Sequence, residues 1–522
     1  MPDPVVFIIG IAPIIWLFFA LCILRLPGHI ACPGGLVIAS ILALFSLSMP
    51  PENLITAAFE GLIFALWPII LVILAAMILY KYSVATGGMD TINRLLIGVS
   101  RDRRVLVLIL AWGFGSFLEG MAGFGAPVLI PGSILVSLGF SPMFSIITCL
   151  VANSVPTPFA TLGIPVITLA GVTGLDANTL GFNIALQLLI PCIIIPFFLV
   201  MLAGGGIRAI KGVGLITLTA GLSLGLPMLL VTRFMGPELP ALLGSVCAIG
   251  CIALANKRFY KNNEYNRQFQ LAASPAESRL NSGGQSSSDT NKTQVSIFQA
   301  CLPFLIVLIL MTATRLIEPL SEWLSNIKAD IIVYTGPDGY VLNFSLLLTP
   351  GILILISVFI ACFIQRFRVK ELLLICKAAV IESKNMIITI ITIVAMAKIM
   401  DYSGMTNSIA LILAVVFSAF YPLIAPVIGM IGTFITGSNT TCAILFGSLQ
   451  ANAARMIGVN PSWIVSSNLS AAALGKMISP QSVAVGLRIG GLDGREGDII
   501  IQTLKYALFC TAIVSLITYF FA

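Results

Sequence analysis

Glu119 is a carboxylate set among four glycines in "GSFLEGMAGFGAP", residues 115–127. A second stretch, "GTFITGSNTTCAI", residues 432–444, opens in the same style and brings Ser438, Asn439, Thr440 and Thr441 after Gly437. A third, "GKMISPQS", residues 475–482, supplies Lys476, Ser479 and Gln481. All three interrupt long apolar runs. A helix interrupted inside a membrane exposes backbone N–H groups and a partial positive charge at its new N-terminus, which suits a carboxylate ligand. Gly120, Gly123 and Gly125 at the first break, and Gly437 to Thr441 at the second, are the candidate substrate contacts; serine, asparagine and glycine are also ordinary cap and turn residues. Glu119 needs a partner or a proton, because a bare carboxylate is costly in the bilayer. It is therefore a candidate coupling residue for protons, or else a cap for the hairpin tip. Lys476 could hold a solute carboxylate, pair with a fixed acid, or snorkel to the interface. Ser479 and Gln481 could bond a solute hydroxyl. Asn153 and Asn468 would line the cavity or bond neighbouring helices. Lys398 and Asp401 read as interface residues at a span end.

Other chemistries lack support. His29, the one histidine, sits near Arg25 and makes a poor proton relay. The eleven cysteines are scattered singly, without metal spacing or a disulfide framework. "GMAGFG" has no preceding strand and no following lysine, which rules out a phosphate loop. No nucleophile–base set and no metal cluster are apparent, and no cofactor is implied.

The elements that must position these groups follow from composition. Of the 522 residues, 58% are hydrophobic and 9% charged, against about 25% charged in a soluble domain. The class is an all-α polytopic membrane protein. Twelve spans are expected: 5–24, 31–48, 61–80, 141–170, 182–203, 212–231, 238–255, 297–316, 344–364, 378–397, 460–487 and 502–521. The first reads as a span and not as a cleaved signal peptide. Regions 105–138 and 422–456 are too long and too broken for simple helices and read as re-entrant hairpins. With the N-terminus outside, 21 of the 28 basic residues fall in inside loops and only Arg233, Arg315 and Lys328 outside, as the positive-inside rule requires. Both termini are then periplasmic. The same asymmetry accounts for the net charge of +7 without a nucleic-acid partner. Residues 325–343 read as an exposed outer loop. The Asn-Lys-Thr at 291–293 matches a glycosylation acceptor but faces the cytoplasm.

The chain resembles itself at an offset of about 317 residues. "KYSVATGGMDTINRLL" from Lys81 lies over "KIMDYSGMTNSIALIL" from Lys398, and "GSFLEG" over "GTFITG". Asn153 and Pro165 are twelve apart, as are Asn468 and Pro480. Seven spans separate the two starts, so the copies run in opposite senses across the membrane. Inverted repeats with paired breaks point to a secondary transporter with its site between them. The expected organisation is scaffold helices in 1–59, 204–255 and 297–376, a cytoplasmic linker in 256–296, and repeats in 60–203 and 377–522. Each repeat holds one hairpin and one broken helix, 141–170 or 460–487.

"FGSFLEGMAGFGAPVLIPGSILVSLGFSP", "YSGM", "FITGSNTT" and "GKMISPQS" together resemble the bacterial L-lactate permease family over nearly the whole chain. The resemblance implies an inner-membrane, proton-driven symporter for lactate, glycolate or related 2-hydroxy monocarboxylates. Its wider superfamily looks like the sodium-coupled dicarboxylate and citrate carriers, and implies an elevator motion against a dimeric scaffold. The family commonly has aspartate where this chain has Asn439, and "SNT" is similar to the motif of the sodium-coupled relatives. A sodium-coupled di- or tricarboxylate carrier and an anion channel are the alternatives.

Overall fold

The computed structural model describes residues 4–24, 26–123, 125–260, 264–270, 295–336, 342–489, 492 and 495–522. Arg25, most of the expected linker with its 291–293 motif, and Asp338 of the outer loop lie outside the described residues. Helices dominate. Eight of the twelve expected spans are helices long and apolar enough to cross a bilayer: Gly28–Phe45, Pro51–Ala85, Ala177–Gly204, Gly214–Phe234, Pro240–Phe259, Ile297–Thr314, Val369–Tyr402 and Glu496–Phe520. A ninth is a bent pair, Pro142–Ala152 and Thr157–Thr173, meeting at 71°. The first span (Val6–Leu21) and the ninth in order (Pro350–Ile364) are shorter apolar helices. The eleventh is divided into Pro461–Gly475, a single turn Lys476–Ile478, and Pro480–Leu487. Large apolar side chains such as Phe45, Leu230, Ile309 and Phe363 face outward, as the lipid-exposed surface of a membrane protein requires.

The all-α expectation needs one correction. Lys328–Ile331 and Leu342–Ser345 form an antiparallel strand pair in the outer loop, with Lys328 opposite Ser345. The next helix begins at Pro350, where proline's fixed φ suits a first helical turn. That loop is also not wholly exposed: Tyr334 is buried and stacks on Tyr402, ring centroids 3.7 Å apart.

Both regions read as hairpins are helix pairs. The first is Arg103–Met121 returning as Ala126–Ser137; the second is Tyr421–Thr436 returning as Asn439–Ile457. The first arm is apolar enough to span and is entirely buried. Trp112 donates to the Ala220 carbonyl at 2.9 Å, and Gly113 lets Ile249 approach closely. Helices Gly214–Phe234 and Pro240–Phe259 thus clamp the arm. At its base, buried Arg104 forms a 2.6 Å ion pair with Asp102 and donates to the Ala209 and Lys211 carbonyls.

The elements recur in order. A long helix (Pro51–Ala85 or Val369–Tyr402) is followed by a short one (Gly88–Ile97 or Met405–Phe417), a hairpin, a broken helix and a closing long helix. Each short helix starts after a left-handed glycine, Gly87 at φ 75° and Gly404 at φ 82°. The two long leading helices pack together, with Gly61 against the backbone of Ala395. Lys81 of the first copy pairs with Glu382 of the second at 2.6 Å, and Lys398 of the second with Glu60 of the first at 2.7 Å.

Candidate functional site

Each hairpin tip is shaped by local chemistry. In the second, Gly437 turns the chain at φ 70° and Ser438 is extended. The Ser438 hydroxyl accepts from the Thr441 amide at 3.3 Å, a standard N-cap. Asn439 and Thr440 occupy the first turn of the return helix, where amides have no intrahelical acceptor. The Thr433 hydroxyl donates to Asn439 Oδ1 at 3.4 Å, while the buried Asn439 Nδ2 has no partner. The first tip turns through Gly123 at φ 56° and Gly125 at φ 90°.

The tips converge. Gly125 rests on Val485, where an added Cβ would come within 2.6 Å of a side-chain methyl. Gly437 presses on the side chain of Gln481. Gln481 and Val485 are one turn apart on the helix Pro480–Leu487, hence on one face. Gly123 lies against Thr161, whose hydroxyl would be 2.8 Å from an added Cβ. Thr161 belongs to the first broken helix, where Thr161, Leu162 and Gly163 all take positive φ, of 48°, 56° and 79°. Two consecutive non-glycine residues in that region are strained.

The central contact joins one break to the other. Lys476, in the turn between Pro461–Gly475 and Pro480–Leu487, donates to Glu119 Oε1 at 2.6 Å. Glu119 is wholly buried, and Lys476 is 16% exposed at its side chain. Of the three readings open for Lys476, the fixed-acid partner is the one the geometry shows. Glu119 Oε2 is buried without a partner, as is the Ser479 hydroxyl beyond Lys476. Ser116 Oγ, one turn before Glu119, is likewise unpartnered. Unpaired buried polar atoms are costly and uncommon in proteins. Among those in this structure, Glu119 Oε2, Asn153 Oδ1, Asn439 Nδ2 and Ser479 Oγ lie at or beside the helix breaks.

Several expected residues fall elsewhere. Gly120 faces Ala241 and Leu242 of the clamping helix, so its missing side chain serves close packing. Asn153 closes the helix Pro142–Ala152 at the break, with its Oδ1 buried and unpartnered. Asn468 does not hold the equivalent place: it sits in mid-helix within Pro461–Gly475. Its Oδ1 accepts from Gln450, which also accepts from Tyr421 at 2.6 Å, so it bonds neighbouring helices. Gln481 is exposed at the tip contact. Lys398, four residues from the end of its helix, is buried on Glu60, and Glu60 also accepts from the Tyr402 hydroxyl at 2.9 Å. Sequence reasoning passed over Glu60, Tyr402 and Thr161. The overlay of Lys81 on Lys398 was the signal that could have found the first two. Among the described residues, no group of histidine, cysteine and acidic side chains could hold a metal ion.

Comparison with known proteins decides the family. The model of the L-lactate permease family matches residues 6–522. The chain belongs to the L-lactate permease family. An L-lactate permease of Streptococcus iniae is 41% identical over 88% of this chain and 92% of its own length. The glycolate permease of Escherichia coli is 34% identical over 98% of this chain and 94% of its own. The L-lactate permease of Escherichia coli is 34% identical over 98% and 95% respectively. Among solved structures, the YdaH transporter of Alcanivorax borkumensis aligns with TM-score 0.51 at 14% identity, over 94% of this chain and 98% of that one. The antimetabolite efflux pump MtrF of Neisseria gonorrhoeae aligns with TM-score 0.54 at 14% identity, over 94% and 95%. At that identity the likeness concerns the fold alone. A member of the L-lactate permease family is a multi-pass membrane transporter of a small organic anion and not an enzyme.

Proposed function

We propose that this permease carries L-lactate or glycolate across the inner membrane with a proton, and that Lys476 exchanges its partner during the cycle. The observation that carries this reading is the Glu119–Lys476 pair spanning the two breaks. Empty, the pair is neutral. A solute carboxylate arriving at Lys476 adds one negative charge in a buried place, and a proton on Glu119 removes it. The two hairpin tips and the Ser438–Thr441 turn then surround the carboxylate, with Ser479 placed for the 2-hydroxyl. Coupling is required energetically: moving an uncompensated anion inward costs roughly 2.3 kcal/mol per 100 mV of inside-negative potential. The two copies are read as inverted, with both termini periplasmic, and the carrier as a homodimer working by an elevator motion.

Labelled L-lactate uptake into proteoliposomes tests the reading. Accumulation is expected under an imposed proton gradient, unchanged when choline replaces sodium. Accumulation that needs sodium would favour the di- or tricarboxylate-type carrier, and flux at channel rates without accumulation would favour an anion channel.

A further inference from the structure

A second charged centre lies away from the hairpin tips. Glu60 is completely buried, and its Oε1 receives both Lys398 Nζ at 2.7 Å and the Tyr402 hydroxyl at 2.9 Å. Its Oε2 is buried with no partner. Trp67 Nε1, seven residues on at a kink where the backbone leaves helical angles (φ −132°, ψ 116°), is also buried and unpartnered. Asp401, half-buried, lies three residues and so one helical turn beyond Lys398 on the same helix.

The groups facing Glu60 can be named element by element. The helix Val369–Tyr402 brings Lys398, Asp401 and Tyr402, and Phe64 on Glu60's own helix lies 6.0 Å from Lys398 Nζ. The outer segment brings Tyr334 onto Tyr402. Among the described residues, the helices Met405–Phe417 and Asn439–Ile457 bring Thr406 and Ser448 near Asp401. Helix Ala160–Thr173, the second half of the first broken helix, touches Phe64 through Gly171. Two carboxylates thus lie near one ammonium: Glu60 is ion-paired with Lys398, and Asp401 stands one helical turn beyond Lys398 on the same helix.

The centre carries one surplus negative charge, and an uncompensated buried charge is expensive. A single proton cancels it, leaving Lys398 to one carboxylate. Glu60 Oε2, lacking any donor, is the atom that would take it. The arrangement parallels the one at the tips, where an acid of the first copy also gives one oxygen to a lysine of the second and leaves the other bare.

We propose that Glu60, with Lys398 and Asp401, is a second proton-binding centre of this permease, so that each transport cycle moves two protons. The inference rests on the proton-coupled reading above and adds a stoichiometry to it. One proton per monovalent anion is electroneutral; two carry one net positive charge inward. Accumulation then rises about fifty-fold per 100 mV of inside-negative potential, from roughly 2.3 kcal/mol per charge and about 1.4 kcal/mol per decade.

The test uses the full chain in proteoliposomes with equal pH on both sides and a potassium diffusion potential set by valinomycin. Wild type is expected to accumulate L-lactate in response to the potential. Glu60→Gln leaves Lys398 balanced by Asp401 and is expected to assemble, to keep lactate counterflow and pH-driven uptake, and to lose the response to potential. Wild-type uptake that responds to a pH gradient but ignores the potential would overturn the second centre while leaving the carrier reading intact. A potential response retained in Glu60→Gln would overturn it equally. If that variant yields no protein, the wild-type potential response decides alone. Uptake that ignores the pH gradient altogether would defeat the underlying reading instead.

Discussion

The Glu119–Lys476 contact has an asymmetric energetic character. Removing one member of a buried ion pair leaves the other uncompensated, at a cost of about 3–5 kcal/mol, whereas removing both can be nearly neutral. Lys476→Met is therefore expected to lower stability by about 3–5 kcal/mol and to abolish uptake. The double variant Glu119→Gln with Lys476→Met regains most of the stability but none of the transport. Thermal unfolding in detergent beside lactate uptake separates the two effects. Each residue was legible in the sequence because an ionised group in an apolar run needs an explanation. Their pairing was not, since 357 residues separate them and only folding brings the breaks together. Glu60 was missed for the opposite reason: it lies near the start of a span, where an acid looks ordinary. Lys398 looked ordinary too, because a lysine near a helix end can snorkel.

Close approach of elements governs the next scale. The hairpin Tyr421–Thr436 lies so near the helix Pro461–Gly475 that an added Cβ on Gly429 would strike the Asn468 carbonyl, and one on Gly475 the Met430 carbonyl. Backbone cannot yield as a side chain can. Gly429→Ala and Gly475→Ala are each expected to cost about 1–3 kcal/mol or more, with loss of uptake. Gly458 has φ 81° but open space around it. Alanine there meets only the left-handed penalty, about 1–2 kcal/mol, and uptake is retained. Comparing the three variants by unfolding and uptake checks that packing, and not conformational freedom alone, holds the second hairpin. Glycine and proline spacing made both hairpins and both broken helices legible. The Asn153–Asn468 correspondence failed because the first halves differ in length, 11 residues against 15, which moves the second break beyond Asn468. The strand pair escaped notice because four-residue strands leave little periodic signal.

Among the described residues, three ion pairs tie the first copy to the second: Glu119–Lys476, Glu60–Lys398 and Lys81–Glu382. The first two have a completely buried acid, while Lys81 and Glu382 are 25% and 54% exposed. An exposed pair is worth at most about 1 kcal/mol, so Lys81→Ala is expected to leave stability and uptake nearly unchanged, whereas Lys398→Ala impairs both. The membrane class, the order of elements and the family were all legible from composition, breaks and motifs. How the copies lock together was not, because it depends on contacts more than 300 residues apart.

The central claim is that Lys476 trades the Glu119 carboxylate for that of the solute, and that a proton on Glu119 balances the trade. Proteoliposomes containing Glu119→Gln, compared with wild type under an imposed pH gradient, test it most directly. Lys476 in that variant needs no proton to receive lactate, so counterflow of labelled L-lactate is predicted to persist while accumulation driven by the pH gradient falls well below that of wild type, one coupled proton having been removed. Accumulation in Glu119→Gln equal to wild type would contradict the account.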